Sequence, residues 1–321
     1  MTKMSTLAIR LISLFCLLTL TILSASGNNP AALDSCSDDS ISGFPFRLKL
    51  LSWNIGMLPV FDLFTEKDEK RAEAVATALF SCDYDIIVFE EAFSSFARSV
   101  IRHKLQDLYP YAYGPANRAA FSLKCNSGLW ILSKFPLVIK KEIEFTNSTG
   151  FDDFARKGAI LLEGNYHNTR FQLLATHLQD DRYPQYIREQ QLKELYEKLI
   201  APYAHTAIPQ LICGDFNTDE KISQYYHGLL NILKAEDGAI SGNMKITFDD
   251  EANDVYRSVH PDPRQIDYIL TRNSQQIQWI RRTVAVLKSR WGNGKEYLSD
   301  HNGIEACIEF KNVDYLSKVY K

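Results

Sequence analysis

From Leu48 onward the chain alternates short apolar runs with polar breaks. The runs of strand length are Leu48 to Asn54, Asp85 to Glu90, Gly128 to Leu132, Gly158 to Leu162, Phe171 to His177, Pro209 to Cys213, Ile266 to Thr271 and Ile304 to Phe310. Most are rich in β-branched or aromatic residues, the pattern of buried strands. Three stretches carry helical spacing instead. In Glu66 to Phe80, Ala72, Val75, Ala76 and Leu79 share one face; Phe93 to Leu108 and Tyr186 to Ile200 read the same way. Strands and helices interleave irregularly, so mixed sheets are expected rather than a regular βα repeat.

The N-terminus breaks this pattern. Lys3 and Arg10 precede a nearly unbroken apolar run, Leu11 to Leu23, and Ser24-Ala25-Ser26-Gly27 supplies small residues for cleavage. This predicts a secretory signal peptide over 1–26, with a retained N-terminal anchor as the alternative. The run falls short of the ~20 residues a spanning helix needs. Residues 27–45 are polar and expected to be mobile, 46–311 form one α/β domain, and 312–321 are a tail.

With 321 residues, 45% apolar and 23% charged, the chain has ordinary globular composition. Its net charge of −3 and lack of a basic block weigh against a nucleic-acid footprint. Beyond the leader stand Cys36, Cys82, Cys125, Cys213 and Cys307. An odd number leaves at least one free thiol. Cys213 and Cys307 lie in apolar strands and are read as buried small hydrophobes; any pairing of Cys36, Cys82 or Cys125 stays open. Asn147-Ser148-Thr149 is a glycosylation sequon where the secretory route glycosylates.

Candidate chemistry collects where strands end, the usual place for sites in α/β folds. Asn54 ends the first run and Glu90-Glu91 the second. Successive strand residues face opposite ways, so one of the two carboxylates is expected to point at a common site, and Glu91 is preferred. His177 follows Ala175-Thr176. Gly214-Asp215-Phe216-Asn217 follows Cys213, with Gly214 allowing a sharp exit and Asp215 and Asn217 sharing a side. Asp267 lies in another apolar run, and Ser299-Asp300-His301 precedes the last. Either Asp267 or Asp300 is positioned to fix the His301 tautomer. Taken singly, each has a plain structural reading: a turn, a helix N-terminal acid, a strand cap. Six in succession at strand ends point to one centre. Oxygen donors with few imidazoles favour a hard cation such as Mg²⁺ over zinc.

These motifs, Trp53-Asn54, Glu91, Thr176-His177, Gly214-Asp215-Phe216-Asn217, Ile266-Asp267-Tyr268 and Ser299-Asp300-His301, resemble the ordered motifs of the endonuclease/exonuclease/phosphatase superfamily. The flanks Asn54-Ile55-Gly56-Met57-Leu58-Pro59, Ser127 to Pro136, Arg156-Lys157-Gly158, Thr176-His177-Leu178-Gln179 and Arg188 with Gln191 to Leu195 are most similar to the secreted bacterial neutral sphingomyelinases. The resemblance implies a deoxyribonuclease I-like α/β fold, a four-layer sandwich of two mixed β-sheets flanked by helices. It implies Mg²⁺ (with Mn²⁺ or Co²⁺ in substitution) near Asn54, Glu91, Asp215, Asn217, Asp300 and His301. Within it, Asp215 and Asn217 orient water and phosphate, and His301 acts as base or phosphate ligand with Asp267 orienting it. His177 steadies the phosphate or the leaving alkoxide, and Lys157 lines the pocket wall. A phospholipid membrane surface is the implied partner, met peripherally, with no stable protein partner. Four features depart from the bacterial pattern: Asn302, Gly56, a cysteine-free Asp180 to Pro184, and a short hairpin before the last motif. In that hairpin Trp291 is expected to be the apolar membrane-touching tip. An extracellular endonuclease, which would bind nucleic acid, and a non-catalytic lipid- or host-binding protein are the rival readings.

Overall fold

The computed structural model describes residues 47–58, 66–118, 124–259 and 261–311. The expected leader, the 27–45 segment and the 312–321 tail lie outside them, as does Cys36. Among the described residues no helix is long and apolar enough to cross a membrane.

In chain order the elements are β1 (Leu48–Met57), α1 (Glu66–Phe80), β2 (Ile86–Ala92), α2 (Ser95–Leu105), β3 (Tyr111–Tyr113), β4 (Trp130–Ser133), β5 (Leu137–Glu144), β6 (Gly158–Tyr166), β7 (Thr169–His177) and α3 (Gln185–Leu195). They continue with β8 (Gln210–Asp215), α4 (Ser223–Leu233), β9 (Ile240–Ser241), β10 (Asp267–Arg272), β11 (Ile277–Ala285), β12 (Lys288–Trp291), β13 (Lys295–Tyr297) and β14 (Gly303–Phe310). One sheet has the strand order β3-β4-β2-β1-β14-β11-β9, a second has β10-β8-β7-β6-β5, and β12-β13 form a separate hairpin. Both large sheets are mixed: β1 runs parallel to β2 and antiparallel to β14, while β7 runs parallel to β8.

Side-chain parity separates the layers. In β1, Leu48 and Leu50 enter the core between the sheets, where they join Val88, Ile131, Ile160, Leu173, Leu211 and Ile304. The alternate residues Leu51, Trp53, Ile55 and Met57 face outward and pack under α1 and α2, against Ala72, Val75, Leu79, Ile101 and Leu105. On the far side Leu161, Leu174, Ile212 and Leu270 pack under α3 and α4, against Leu192, Leu195, Leu229 and Leu233. The central strands therefore bury both faces, which is why they read as continuous apolar runs rather than alternations. The result is four layers, helices–sheet–sheet–helices, as expected from the sequence.

The helix over 66–80 matches its periodicity. The next begins at Ser95 rather than Phe93, because Ser94 caps it, accepting the Ala97 N–H on its side chain. Two cysteine expectations change in part. Cys213 is a buried free thiol, and Cys82 and Cys125 are free as well. Cys307 is buried, but it is disulfide-bonded rather than a simple small hydrophobe. Trp291 is corrected outright. It is only 5% exposed, belongs to the core under α1 and α2, and donates its indole N–H to the Tyr297 carbonyl at 2.7 Å. The tryptophan turns back into the protein, and the Gly292-Asn293-Gly294 turn carries no apolar tip.

Candidate active site

The parity that builds the central core also builds the site. Val88, Leu173, Ala175, Leu211, Cys213 and Ile269 face the space between the sheets. Two residues further along their strands, with the same parity, stand Glu90, His177, Asp215 and, at the start of the antiparallel β10, Asp267. Register aligns them: His177 pairs with Asp215 across β7 and β8, and Asp267 pairs with Asp215 across β8 and β10. Asn54 occupies the equivalent place on β1, opposite Glu90. The apolar sandwich thus ends in a polar rim made by the same faces.

Asp215 is the hub. Its Oδ2 accepts from Asn54 Nδ2 at 3.1 Å and lies 3.5 Å from His177 Nε2 and 3.8 Å from His301 Nε2. Its Oδ1 accepts the Asn217 N–H at 2.9 Å. Asn217 turns in the left-handed region (φ 48°) and donates its amide to the Leu178 carbonyl at 3.2 Å. The tight exit needs Gly214: a Cβ there would lie 1.9 Å from the Thr176 carbonyl oxygen on β7. Burial, then the neighbouring Asp267, pushes the Asp215 carboxyl up to about 7, against the pull of His301 and Lys157.

Of the two candidate orienters, Asp267 holds His301: its Oδ2 is 2.9 Å from Nδ1. Its other oxygen is buried without a hydrogen-bond partner. The loop before β14 is fixed from several directions. The Ser299 hydroxyl donates to the Asn54 carbonyl at 2.7 Å and accepts the His301 N–H at 3.1 Å, and Trp53 Nε1 donates to the His301 carbonyl at 2.9 Å. Burial disfavours the imidazolium, but Asp267, Asp215 and Asp300 together outweigh it and hold His301 well above its ordinary value.

His177 behaves in the opposite way. Burial first, then Lys157 and His301, holds it well below its ordinary value. Lys157 Nζ lies 3.0 Å from His177 Nε2, donates to the Leu178 carbonyl at 2.9 Å, and pairs with Asp152 Oδ1 at 2.8 Å. With the ammonium donating to Nε2, the ring proton sits on Nδ1, the buried atom without a partner. Lys157 was expected at the wall; it lies within hydrogen-bond reach of the centre.

Both carboxylates of the Glu90-Glu91 pair reach this region, not one. Glu90 follows strand parity inward, accepts the Ser52 hydroxyl at 2.7 Å, and keeps its other oxygen without a partner. Glu91 escapes alternation because its backbone turns to φ 52° where β1 and β2 slip register. Its Oε1 is 4.0 Å from His177 Nε2. Burial, then Asp300, raises the Glu91 carboxyl; burial, then Asp267, raises Glu90 well above the usual carboxylate range.

Three groups escaped the sequence reading. Glu90 was set aside in favour of its neighbour. Asp152 lies in a turn outside every strand and helix pattern. Arg71 sits on α1, where only the apolar face carried signal. Its buried guanidinium donates to the carbonyls of Ile55 at 2.6 Å, Gly56 at 2.7 Å and Leu298 at 2.9 Å, tying the end of β1 to the lead-in of Ser299-Asp300-His301. Trp291 alone of the expected residues is elsewhere, in the core under α1.

The donor chemistry fits a divalent cation. Glu91, Asp300 and Asn54 offer oxygens, mutually repelling carboxylates require a positive partner, and orphaned buried oxygens remain on Glu90 and Asp267. One oxygen each of Asp215 and Asp267, and a ring nitrogen of His301, also lie within 4.8 Å of one another. A cation held by all three would compete with the Asp267–His301 hydrogen bond, so the Glu91 side is the better cradle.

Comparison with known proteins agrees with this geometry. Over 290 residues the chain is 27% identical to sphingomyelinase C 2 of Leptospira interrogans, covering 82% of this chain and spanning 46% of that longer protein. It is 24% identical over 308 residues to a phospholipase C of Staphylococcus aureus, covering 88% of this chain and 90% of the relative. In fold it resembles a Staphylococcus aureus beta toxin variant crystallised with bound magnesium ions, at TM-score 0.72 and 23% identity over 81% of this chain and 99% of that one. The Endonuclease/Exonuclease/phosphatase family model matches residues 51–301, a span that begins in β1 and ends on the histidine held by Asp267. The chain belongs to the endonuclease/exonuclease/phosphatase family.

Proposed function

We propose that this chain is a secreted, Mg²⁺-dependent phosphodiesterase of phospholipase C type, hydrolysing sphingomyelin or a related phospholipid to a ceramide- or diglyceride-type product and a phosphorylated head group. The observation that carries it is the joining of two unlike imidazoles through one carboxylate. Asp215 Oδ2 lies between neutral His177 and Asp267-held His301. The similarity to sphingomyelinase C and phospholipase C relatives supports the lipid substrate.

Glu91 and Asn54, with Asp300 and Asp215 beside them, would hold Mg²⁺, which when bound supplies charge neutralisation at the phosphate. The remaining work falls to side chains. Asp267 keeps the His301 Nδ1 proton in place, so Nε2 faces the site; a bound cation would oppose the imidazolium that the surrounding carboxylates favour, and the neutral ring takes the proton of the attacking water at Nε2. The water oxygen forms the new bond to phosphorus as the bond to the lipid oxygen breaks. Asn217 holds the phosphoryl oxygens in line, and His177, accepting from Lys157 at Nε2, keeps that ammonium beside them. Lys157 sets the His177 tautomer and adds positive charge where the leaving alkoxide develops; the alkoxide takes its proton from solvent water, and His301 returns the proton it took to solvent.

The test is a substrate panel. Purified protein is assayed on sphingomyelin vesicles, phosphatidylcholine vesicles and duplex DNA, each with Mg²⁺ and with EDTA. Metal-dependent release of phosphorylated head group is the expected result. Cleavage of DNA with no phospholipid turnover would replace the lipid reading with a nuclease on the same scaffold.

A further inference from the structure

Between β5 and β6 lies a single 3₁₀ turn, Gly150–Phe154, whose residues divide their side chains in an unusual way. Phe151 is 79% exposed and Phe154 66% exposed. At three residues per turn, positions i and i+3 eclipse, so the two rings project from one face. The residue beside Phe151 does the opposite. Asp152 points inward, pairing with Lys157 at 2.8 Å and accepting from Gln179 Nε2 and the Asp180 N–H, each at 2.8 Å. The turn is braced at its start as well: the Thr149 N–H donates to Gln179 Oε1 at 2.9 Å, and a Cβ on Gly150 would strike the Tyr183 ring.

The same five residues therefore touch Lys157, a direct neighbour of His177, and hold two large apolar rings in water. Leaving two phenyl groups exposed has no folding benefit, and exposed apolar patches mark interaction sites. Around the rings stand two cations in surface ion pairs: Lys124 with Asp153 at 2.8 Å, and Arg182 with Asp180 at 2.5 Å. Exposed pairs of this kind are weak and exchange readily for other anions. Apolar rings ringed by cations match the acyl-chain and phosphate levels of a lipid surface.

We propose that the Gly150–Phe154 turn is the lipid-docking element of this chain, with Phe151 and Phe154 entering the interface and Lys124 and Arg182 meeting head-group phosphates. This inference rests on the lipid reading above and names the surface through which it operates. Because Asp152 couples the turn to Lys157, a lipid engaged by the rings presents its head group beside His177 and Asp215.

The experiment separates docking from turnover. In a His301→Ala background, which does not consume lipid, partitioning onto large unilamellar vesicles of sphingomyelin and phosphatidylcholine is measured by co-sedimentation. Phe151→Ala/Phe154→Ala is expected to weaken it at least about tenfold, and Phe151→Trp/Phe154→Trp to retain it. In the His301 chain the double alanine change is expected to leave hydrolysis of a soluble phosphodiester, and the melting temperature, unchanged. Equal partitioning of the double alanine variant and its parent, or no partitioning of the parent, would overturn the proposal. If the rings carry partitioning but the chain with His301 intact releases no phosphorylated head group, the docking element stands and the substrate reading alone is overturned.

Discussion

The two large sheets supply unlike halves of the site. The seven-stranded sheet contributes Asn54, Glu90 and Glu91 from strand ends, and Asp300 and His301 from the lead-in to β14: three carboxylates against one imidazole. The five-stranded sheet contributes Lys157 and His177 against Asp215 and Asp267, with Asn217 just beyond. The first half is short of positive charge, since the one nearby guanidinium, on Arg71, is occupied by three carbonyls. The second half has an ammonium, on Lys157, within hydrogen-bond reach of its centre. The difference teaches that, on the proposed mechanism, the cation requirement belongs to one sheet and the handling of phosphate and leaving group to the other. His301 stands on the first but is set by Asp267 on the second.

That division can be broken at its crossing point. His301→Ala is expected to reduce the turnover rate roughly 10²–10⁴-fold, with no recovery at high Mg²⁺. Asp267→Asn removes only the orienting carboxylate and is expected to cost about 10–100-fold, again not restored by metal. Glu91→Gln, on the acidic half, is expected to behave differently: the rate falls at limiting Mg²⁺ and returns as Mg²⁺ is raised at least about tenfold. Metal titrations of all three variants on one soluble substrate read the distinction. Rescue of Asp267→Asn by Mg²⁺, or failure to rescue Glu91→Gln, would erase the boundary between the halves. The smallest effect on rate is expected outside both. Trp291→Ala should destabilise the fold by about 3–5 kcal/mol, as loss of a core aromatic does, yet leave the rate per folded molecule and vesicle partitioning unchanged.

How much of this was legible follows from where the signal lay. Strands buried on both faces announced themselves, because unbroken apolar runs such as Gly158 to Leu162 have few other readings. β5, Leu137–Glu144, was hidden because it is an edge strand carrying Lys140, Lys141 and Glu142 outward. β11, Ile277–Ala285, was hidden because arginines interrupt both of its faces: Arg281 follows Trp279 on one, and buried Arg282 stands between Ile280 and Val284 on the other. At the site, the residues that end apolar runs were found, and those acting from turns and helices were not. Asp152 and Arg71 do their work through contacts distant in sequence, which no local pattern encodes. Glu90 and Glu91 show the limit of parity: alternation holds only while the backbone stays extended, and Glu91 leaves it. Trp291 shows a second limit. An isolated aromatic between polar residues looks like an exposed tip, but the depth of a hairpin is decided by the helix it folds against.

The sheet order carries a consequence for biogenesis. β14 is not an edge; it lies between β1 and β11, pairing Leu48 with Ile308 and Ile280 with Ile308. The earliest and the latest described strands are thus neighbours at the middle of the sheet. A chain emerging from the ribosome cannot close that sheet until β14 is free, and His301 arrives with it. The site is therefore self-delaying: its two halves meet only after every strand from β1 to β14 has been released, by topology alone.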